Sequence, residues 1–253
     1  MKRRLHHRKL LVRTNRSRFA ELLAYALAVL VLAMGMAVAS ERADAELVAL
    51  QAAAKDRARE VGARIAALNS LVDTSDDISA ETALSLLTDD NEQVAGAAAR
   101  ALVELLSRIE APQALGQGTA TTAAEAERSQ SLKARVADAL RQALWNDRKS
   151  VRMTSAEAMA SRNDLRSLTL VHQGVSQNLY SQLEAVRLFG LASREIASKY
   201  LRWYLEHGSD EAKVAAIPLL ATDPSNRTLL REMYRNPQVP TSVRDAVARV
   251  LNE

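Results

Sequence analysis

The feature that most constrains the fold is an internal repeat with a period near 31 residues. After Val94, small or apolar residues stand at offsets +4, +5, +7 and +8, and the same arrangement follows Val151. The register recurs at six anchor positions: Ala63, Val94, Val151, Ser181, Ala212 and Val243. Their successive spacings are 31, 57, 30, 31 and 31 residues. A fixed period of about 20 to 50 residues is typical of repeat architectures.

Each repeat predicts two helices joined by a polar turn. Offsets 0, +4, +7 and +8 project onto one side of a helix, and a second apolar stripe stands at offsets −11, −8 and −7. The turns between the stripes, 89–91, 146–148 and 208–210, are rich in Asp, Asn and Ser, which cap a following helix by accepting hydrogen bonds from its free N–H groups. A single hairpin cannot bury its own stripe, so we expect an all-α fold, an α-solenoid of about six stacked hairpins.

The anchor segments also carry a family resemblance. Residues 147–159 read D-x3-V-R-x2-S-A-x-A-M, residues 90–102 read D-x3-V-A-x2-A-A-x-A-L, and residues 243–251 read V-R-x2-V-A-x-V-L. From about residue 41 to 253 the chain resembles the HEAT repeat family, particularly the short HEAT-like repeats of bacterial proteins and phycobilisome lyases. The resemblance implies a curved surface that binds another protein, and it implies no particular chemistry.

The one long spacing predicts an insertion. The 57-residue interval exceeds one repeat by 26 residues, and the excess matches a segment that is poor in large apolar residues and rich in Ala, Thr, Gln and Gly. We expect a flexible insertion at 111–131, between repeats 1–2 (41–110) and repeats 3–6 (132–253). In the fourth repeat, Gly174 stands where the first helix should carry a large residue. In the fifth repeat, Pro218 predicts a kink in the second helix.

The N-terminus predicts a membrane anchor. Residues 1–18 hold eight Lys or Arg and no acid, and the run from Leu22 to Ala39 is uncharged. As a helix this run would span about 27 Å, close to the thickness of a bilayer core. We therefore expect a basic cytoplasmic tail (1–18), a transmembrane helix (19–40) and a body outside the cytoplasm, since positive charges stay inside. In a bacterium this topology is a single-pass inner-membrane protein with a periplasmic body.

A second interpretation of the leader stays open. Ala37, Val38 and Ala39 fit the small-x-small pattern of a signal peptidase site, so cleavage after Ala39 would release the body into the periplasm. The long charged segment and the absence of a polar spacer favour the uncleaved anchor. Without the eight basic residues of the tail, 34 Lys and Arg become 26 against 30 Asp and Glu. The body therefore lacks the basic excess that phosphate contacts need, and we expect no nucleic-acid partner.

The sequence contains no recognisable catalytic pattern. Cysteine is absent, which excludes disulfides, Cys-ligated metals and thiol nucleophiles. His172 and His207 have no acidic neighbour at ligand spacing, and we expect both to be solvent-facing ends of helices. No Gly-rich phosphate loop and no G-x-S-x-G motif is present. We expect a non-enzyme without metal, cofactor or small-molecule substrate.

The candidate site is a partner-binding face. Tyr200, Trp203 and His207 are spaced by three and four residues and share one side of a helix. Trp203 stands at offset −9, where the best-matched repeats carry polar residues, so we expect it at the surface, whereas Phe189 and Tyr204 occupy core positions. Exposed aromatics are favoured interface anchors. The alternative, that Trp203 covers a gap between repeats, stays open.

These features together predict a membrane-anchored periplasmic scaffold or adaptor, or an accessory subunit of an envelope complex, with an unidentified protein partner. The resemblance to phycobilisome lyases implies an alternative, a bilin lyase or chromophore chaperone. The leader argues against that alternative, because an exported body would not meet cytoplasmic phycobiliproteins.

Overall fold

The computed structural model describes residues 41–74, 76–114 and 123–252, and within them the chain is helical with no strand. A short 3-10 turn, Pro224–Asn226, precedes the penultimate helix. The twelve helices of this part of the chain are α1 (41–55), α2 (Val61–Thr74), α3 (Asp76–Leu86), α4 (Glu92–Ala114), α5 (Ala123–Ala143), α6 (Lys149–Ser161), α7 (Leu165–Ser176), α8 (Gln182–Phe189), α9 (Arg194–His207), α10 (Asp210–Ala221), α11 (Arg227–Arg235) and α12 (Thr241–Asn252).

The helices pack in a regular order. From α2 onward each helix contacts the next one along the chain. The even-numbered helices form a second series of contacts, α2 with α4, α4 with α6, and so on to α10 with α12. Side-by-side packing of successive helix pairs is consistent with an α-solenoid.

The predicted register matches the positions of the helices. Five anchors are the third residue of an even-numbered helix, and Ser181 is instead the N-cap of α8, where its hydroxyl accepts from the Glu184 N–H. Most of the predicted stripe residues are buried, including these in α4, α6 and α8: Ala98, Ala99, Leu102, Ser155, Ala156, Met159, Ala185, Val186 and Phe189. The stripes of the preceding helices are also buried: Ala83, Leu86, Leu87, Leu140, Ala143, Leu144, Leu201, Tyr204 and Leu205.

The core divides into two clusters that meet on α6. Val151 and Met159 belong to a cluster built from α1 to α6. Ala156 and Ala160, from the same helix, belong to a second cluster that extends to α12. Helix α6 therefore has apolar residues on two sides, one for each half of the array.

The first repeat departs from the register through a buried ion pair. Ala63 is exposed, and the next residue, Arg64, takes the inward position. Its guanidinium donates to both Asp89 carboxylate oxygens, at 2.5 and 3.2 Å, and to the Ala54 carbonyl oxygen at 3.0 Å. Both charged side chains are 4% exposed. Burial raises the pKa of Asp89, but hydrogen bonds from Arg64 and the Asn91 N–H outweigh it, so the pKa lies below its ordinary value.

The predicted flexible insertion at 111–131 is wrong at both of its ends. Residues 111–114 continue α4, and residues 123–131 belong to α5, so these two helices reach 23 and 21 residues. Residues 123–131 are rich in Ala and Glu, which are good helix formers, so this part of the segment is helical although it has few large apolar residues. Residues 115–122 lie outside the described residues.

Gly174 is explained by a neighbouring tyrosine. A Cβ atom at Gly174 would lie 2.7 and 2.9 Å from two ring carbons of Tyr180. The ring is buried, and its hydroxyl donates to the Leu144 carbonyl oxygen at 2.9 Å. Tyr180 therefore fills the space that a large residue at position 174 would otherwise occupy.

The predicted basic tail (1–18) and transmembrane helix (19–40) lie outside the described residues. Within the described part, no helix has both the length and the hydrophobicity needed to cross a bilayer.

Pro218, at which the sequence predicts a kink, lies inside α10, and the helix continues through it to Ala221.

Val94→Asp tests the stacking of the even-numbered helices. Val94, on α4, is 1% exposed and belongs to the first core cluster, so an aspartate there would place an unpaired charge in the core. We expect a loss of about 3–5 kcal/mol in unfolding free energy, measured by urea denaturation. Ala63→Asp, at the same offset but exposed, is the matched control and should change stability by less than about 0.5 kcal/mol. Equal stability of the two variants would contradict the register.

Gly174→Ala tests the fit of Tyr180. The new methyl group would overlap the ring, and we expect a net loss of about 1–3 kcal/mol despite the better helix propensity of Ala. Gly96→Ala is the control, because its Cβ would meet only ordinary contacts, the nearest at 3.4 Å, inside α4. That variant should gain about 0.5–1 kcal/mol. Thermal unfolding of both variants checks the opposite signs.

Candidate functional site

The three predicted site residues lie together on α9, with different exposures. Trp203 is 40% exposed and His207 is exposed, whereas Tyr200 is half-buried. The predictions that Trp203 is a surface residue and that Phe189 and Tyr204 are core residues are confirmed. The face is therefore a partly exposed aromatic surface above a buried aromatic layer.

Helix α7 supplies a fourth member, His172. Its ring meets Trp203 edge-on at 4.7 Å between centroids and lies 5.7 Å from both Tyr200 and Tyr204. The prediction that His172 is a solvent-facing helix end is wrong, since the imidazole is half-buried among these rings. The reason is the repeat itself. His172 and Trp203 occupy the same offset in adjacent repeats, and stacking brings equivalent positions together.

Hydrogen bonds and ring stacking fix the orientation of the cluster. The Tyr200 hydroxyl and Thr169 Oγ1 are 2.8 Å apart, and the Tyr204 hydroxyl lies 3.3 Å from His172 Nδ1. Tyr200 also stacks on Phe189, with ring centroids 4.6 Å apart and planes inclined by 4°. These contacts join α7, α8 and α9 beneath the exposed Trp203.

His207 covers one face of the indole ring. The two rings stack with centroids 5.1 Å apart, and His207 Nδ1 lies 3.1 Å from the Trp203 carbonyl oxygen. Trp203 is thus held by His172 at its edge and by His207 on one face. An exposed aromatic ring held in this way gives contact area without a large loss of side-chain freedom on binding.

Burial keeps His172 and Tyr204 uncharged near neutral pH. It lowers the pKa of His172 and raises the pKa of Tyr204 to about 12. The His172 imidazole and the Tyr204 hydroxyl are therefore both neutral at pH 7, and they interact through a hydrogen bond rather than as an ion pair. The chemistry that the cluster offers is apolar contact with a few hydrogen-bonding atoms at its edges. In the described residues, no group of three or more His, Asp or Glu side chains is arranged to hold a metal ion.

No protein-family model matches the chain, and no curated protein matches its sequence. Among solved structures, human deoxyhypusine hydroxylase in complex with glycerol is similar with a TM-score of 0.36 and 14% sequence identity. The similarity covers 85% of this chain and 98% of that one. A TM-score this low supports no inference about function.

The buried imidazole predicts a pH dependence of stability. Because the pKa of His172 is lower in the folded chain than its ordinary value of about 6.5, the unfolded chain binds a proton first as the pH falls. The contribution of neutral His172 to the unfolding free energy is therefore fully present above about pH 6.5 and decreases as the pH falls below that value. We expect His172→Gln to reduce the loss of unfolding free energy between about pH 7 and about pH 5.

His207→Gln is the matched control, because His207 is exposed at the other side of the same indole ring. The His207→Gln variant should lose as much unfolding free energy between about pH 7 and about pH 5 as the unmodified chain does. If both variants changed the pH profile equally, the burial of His172 would not be its cause.

Proposed function

We propose that the chain is a non-catalytic scaffold or adaptor, built from about six HEAT-like hairpins and held at a bacterial inner membrane by residues 19–40. Its body would lie in the periplasm and bind a protein partner through Tyr200, Trp203 and His207. The proposal rests on two supports. The leader supplies the topology, and the aromatic surface of α9 supplies the binding site.

The observation that carries the proposal is the state of Trp203. Its indole is 40% exposed, yet three neighbouring rings fix its position, His172, Tyr204 and His207. Tryptophan is enriched among the residues that dominate binding energy at protein interfaces. A Trp needed only to cover the α7–α9 contact would be expected to turn more of its ring inward, as the neighbouring Tyr204 does with no exposure.

The experiment is photo-crosslinking of the full chain in its native membranes. A photoreactive phenylalanine analogue replaces Trp203, and in a matched control it replaces Val48, which is 63% exposed on α1. We expect a defined protein to be crosslinked from position 203 and not from position 48. Mass spectrometry then identifies that protein. Absence of any crosslinked protein at position 203 would overturn the proposed binding face.

Trp203→Ala separates binding from packing. Since the side chain is only partly buried, we expect the unfolding free energy to fall by about 1–2 kcal/mol, less than the ~3–5 kcal/mol typical of a buried Trp. Binding of the crosslinked partner should weaken by about 2 kcal/mol or more, the cost typical of an interface hot spot. Urea denaturation and affinity measurements on the full chain check the two effects. A large stability loss with unchanged affinity would assign Trp203 to packing alone.

A further inference from the structure

A titratable ring holds the exposed indole of the candidate surface. His172, on α7, meets Trp203 edge-on at 4.7 Å between ring centroids, with the two planes inclined by 84°. Its Nδ1 lies 3.3 Å from the hydroxyl of Tyr204, which is fully buried. The imidazole therefore contacts both the partner-binding face and the core, and a change in its charge acts on both.

The hydrogen bond to Tyr204 requires the neutral imidazole. Within the described residues, His172 Nδ1 is the one hydrogen-bonding partner of the Tyr204 hydroxyl. A buried hydroxyl needs an acceptor for its hydrogen, and an unprotonated Nδ1 supplies it. Protonation would turn Nδ1 into a donor and leave the buried hydroxyl hydrogen without an acceptor.

No acidic group stabilises an imidazolium at this position. In the part of the chain that the structure describes, His172 forms no ion pair, and the rings around it are those of Tyr200, Trp203 and Tyr204. Burial lowers the pKa of His172, and no neighbouring charge counteracts burial. The charged side chains of α6 to α9 and the N-cap of α7 are exposed or engaged elsewhere: Glu157, Arg166, Arg187, Arg194, Glu195, Lys199, Arg202 and Glu206 are exposed, Lys149 pairs with Glu184, Asp164 pairs with Arg141, and Arg152 lies over the Tyr180 ring.

A protein bound to Trp203 would cover His172 as well. The two rings are in contact, and the imidazole is only half-buried in the free chain, so a bound partner removes further water from it. Removal of water favours the neutral form of an imidazole. Partner and proton therefore compete for this surface, and the affinity for the partner falls at any pH where the free chain binds the proton.

We propose that protonation of His172 regulates the partner-binding face. The neutral imidazole holds Trp203 in place, and the imidazolium turns toward solvent and releases the indole. Partner binding is then complete above about pH 6.5 and weakens below it, by at most about tenfold per pH unit for one proton. The release of Trp203 is a property of this chain alone, whereas its effect on a partner rests on the proposed function.

Tryptophan fluorescence tests the release of the indole. Trp145 and Trp203 are the two tryptophans of the chain, so Trp145→Phe leaves Trp203 as the emitter. Quenching by acrylamide is measured on the detergent-solubilised full chain between about pH 7.5 and about pH 5, and circular dichroism checks folding at each pH. We expect the quenching constant to rise by about twofold or more through one transition with a midpoint below about pH 6.5.

Substitution of each histidine assigns the transition. In the Trp145→Phe background, His172→Gln should abolish it, because Gln stays neutral and can still accept from the Tyr204 hydroxyl. His207→Gln is the matched control and should keep the transition, since His207 is exposed on the other side of the indole ring. In the unsubstituted chain, the nuclear magnetic resonance signal of the Trp203 indole N–H should shift over the same pH range, while that of Trp145 does not.

Four results would overturn the regulation. They are a quenching constant that does not change with pH, a transition that survives His172→Gln, a transition that is lost in His207→Gln, and a midpoint above about pH 6.5. The last result would mean that the surrounding rings attract the imidazolium more strongly than burial disfavours it.

Crosslinking yield tests the effect on a partner. A photoreactive residue replaces Lys199, which is exposed one turn before Trp203 on α9, so all the rings stay in place. In native membranes the yield should fall by about fivefold or more from about pH 7.5 to about pH 5.5, and His172→Gln should remove that dependence.

The two experiments separate the regulation from the proposed function. Release of Trp203 in acid without any crosslinked protein would leave the regulation standing and exclude the proposed binding face. A crosslinked protein whose yield does not change with pH, together with constant quenching of Trp203, would leave the binding face standing and exclude the regulation.

Discussion

The contact between successive even-numbered helices is the constraint on which the rest of the structure depends. Several of these helices carry small buried residues, such as Ala98 and Ala101 in α4, and small side chains let packed helices approach closely. This series of contacts, called the seam below, is continuous from α2 to α12. No helix pair therefore buries its apolar stripe alone. The odd-numbered helices are positioned by this seam, and with them every residue of the candidate surface.

Much of the fold follows from the sequence because the repeat is periodic and stacking is short-range. Once Val94 and Val151 are seen to share an offset, the helix starts and the buried stripe positions follow from helix geometry. The −9 offset also places Trp203 at the surface correctly. The same register contained the signal for the contact between His172 and Trp203, because equivalent positions of stacked repeats are neighbours.

Other features depend on contacts that no local pattern reports. Asp89 looks like a turn residue in the sequence, and its partner Arg64 lies 25 positions away in another repeat. Gly174 looks like a defect until the ring of Tyr180 is seen to occupy its space. The lengths of α4 and α5 were missed because a segment poor in large apolar residues resembles a loop, although its Ala and Glu content favours a helix. In each case a tertiary contact or a backbone propensity, and not the apolar period, decides the outcome.

The candidate surface combines a fixed centre with adaptable margins. Trp203 is held by rings from two helices, whereas Lys199, one turn before it on α9, is long and exposed. Rigid aromatic centres surrounded by charged rims are characteristic of specific protein interfaces, in which the centre supplies affinity and the rim supplies the rate of association.

The division of the core on α6 has a mechanical consequence. Val151 and Met159 hold this helix to the half of the body that follows the leader, while Ala156 and Ala160 hold it to the half that carries Trp203. A load applied along the array would therefore cross from one cluster to the other through α6 and through contacts beside it, such as the ion pair of Arg141 with Asp164. Because each helix pair of such an array contacts only its neighbours, the body extends pair by pair, and α6 is the helix that belongs to both core clusters.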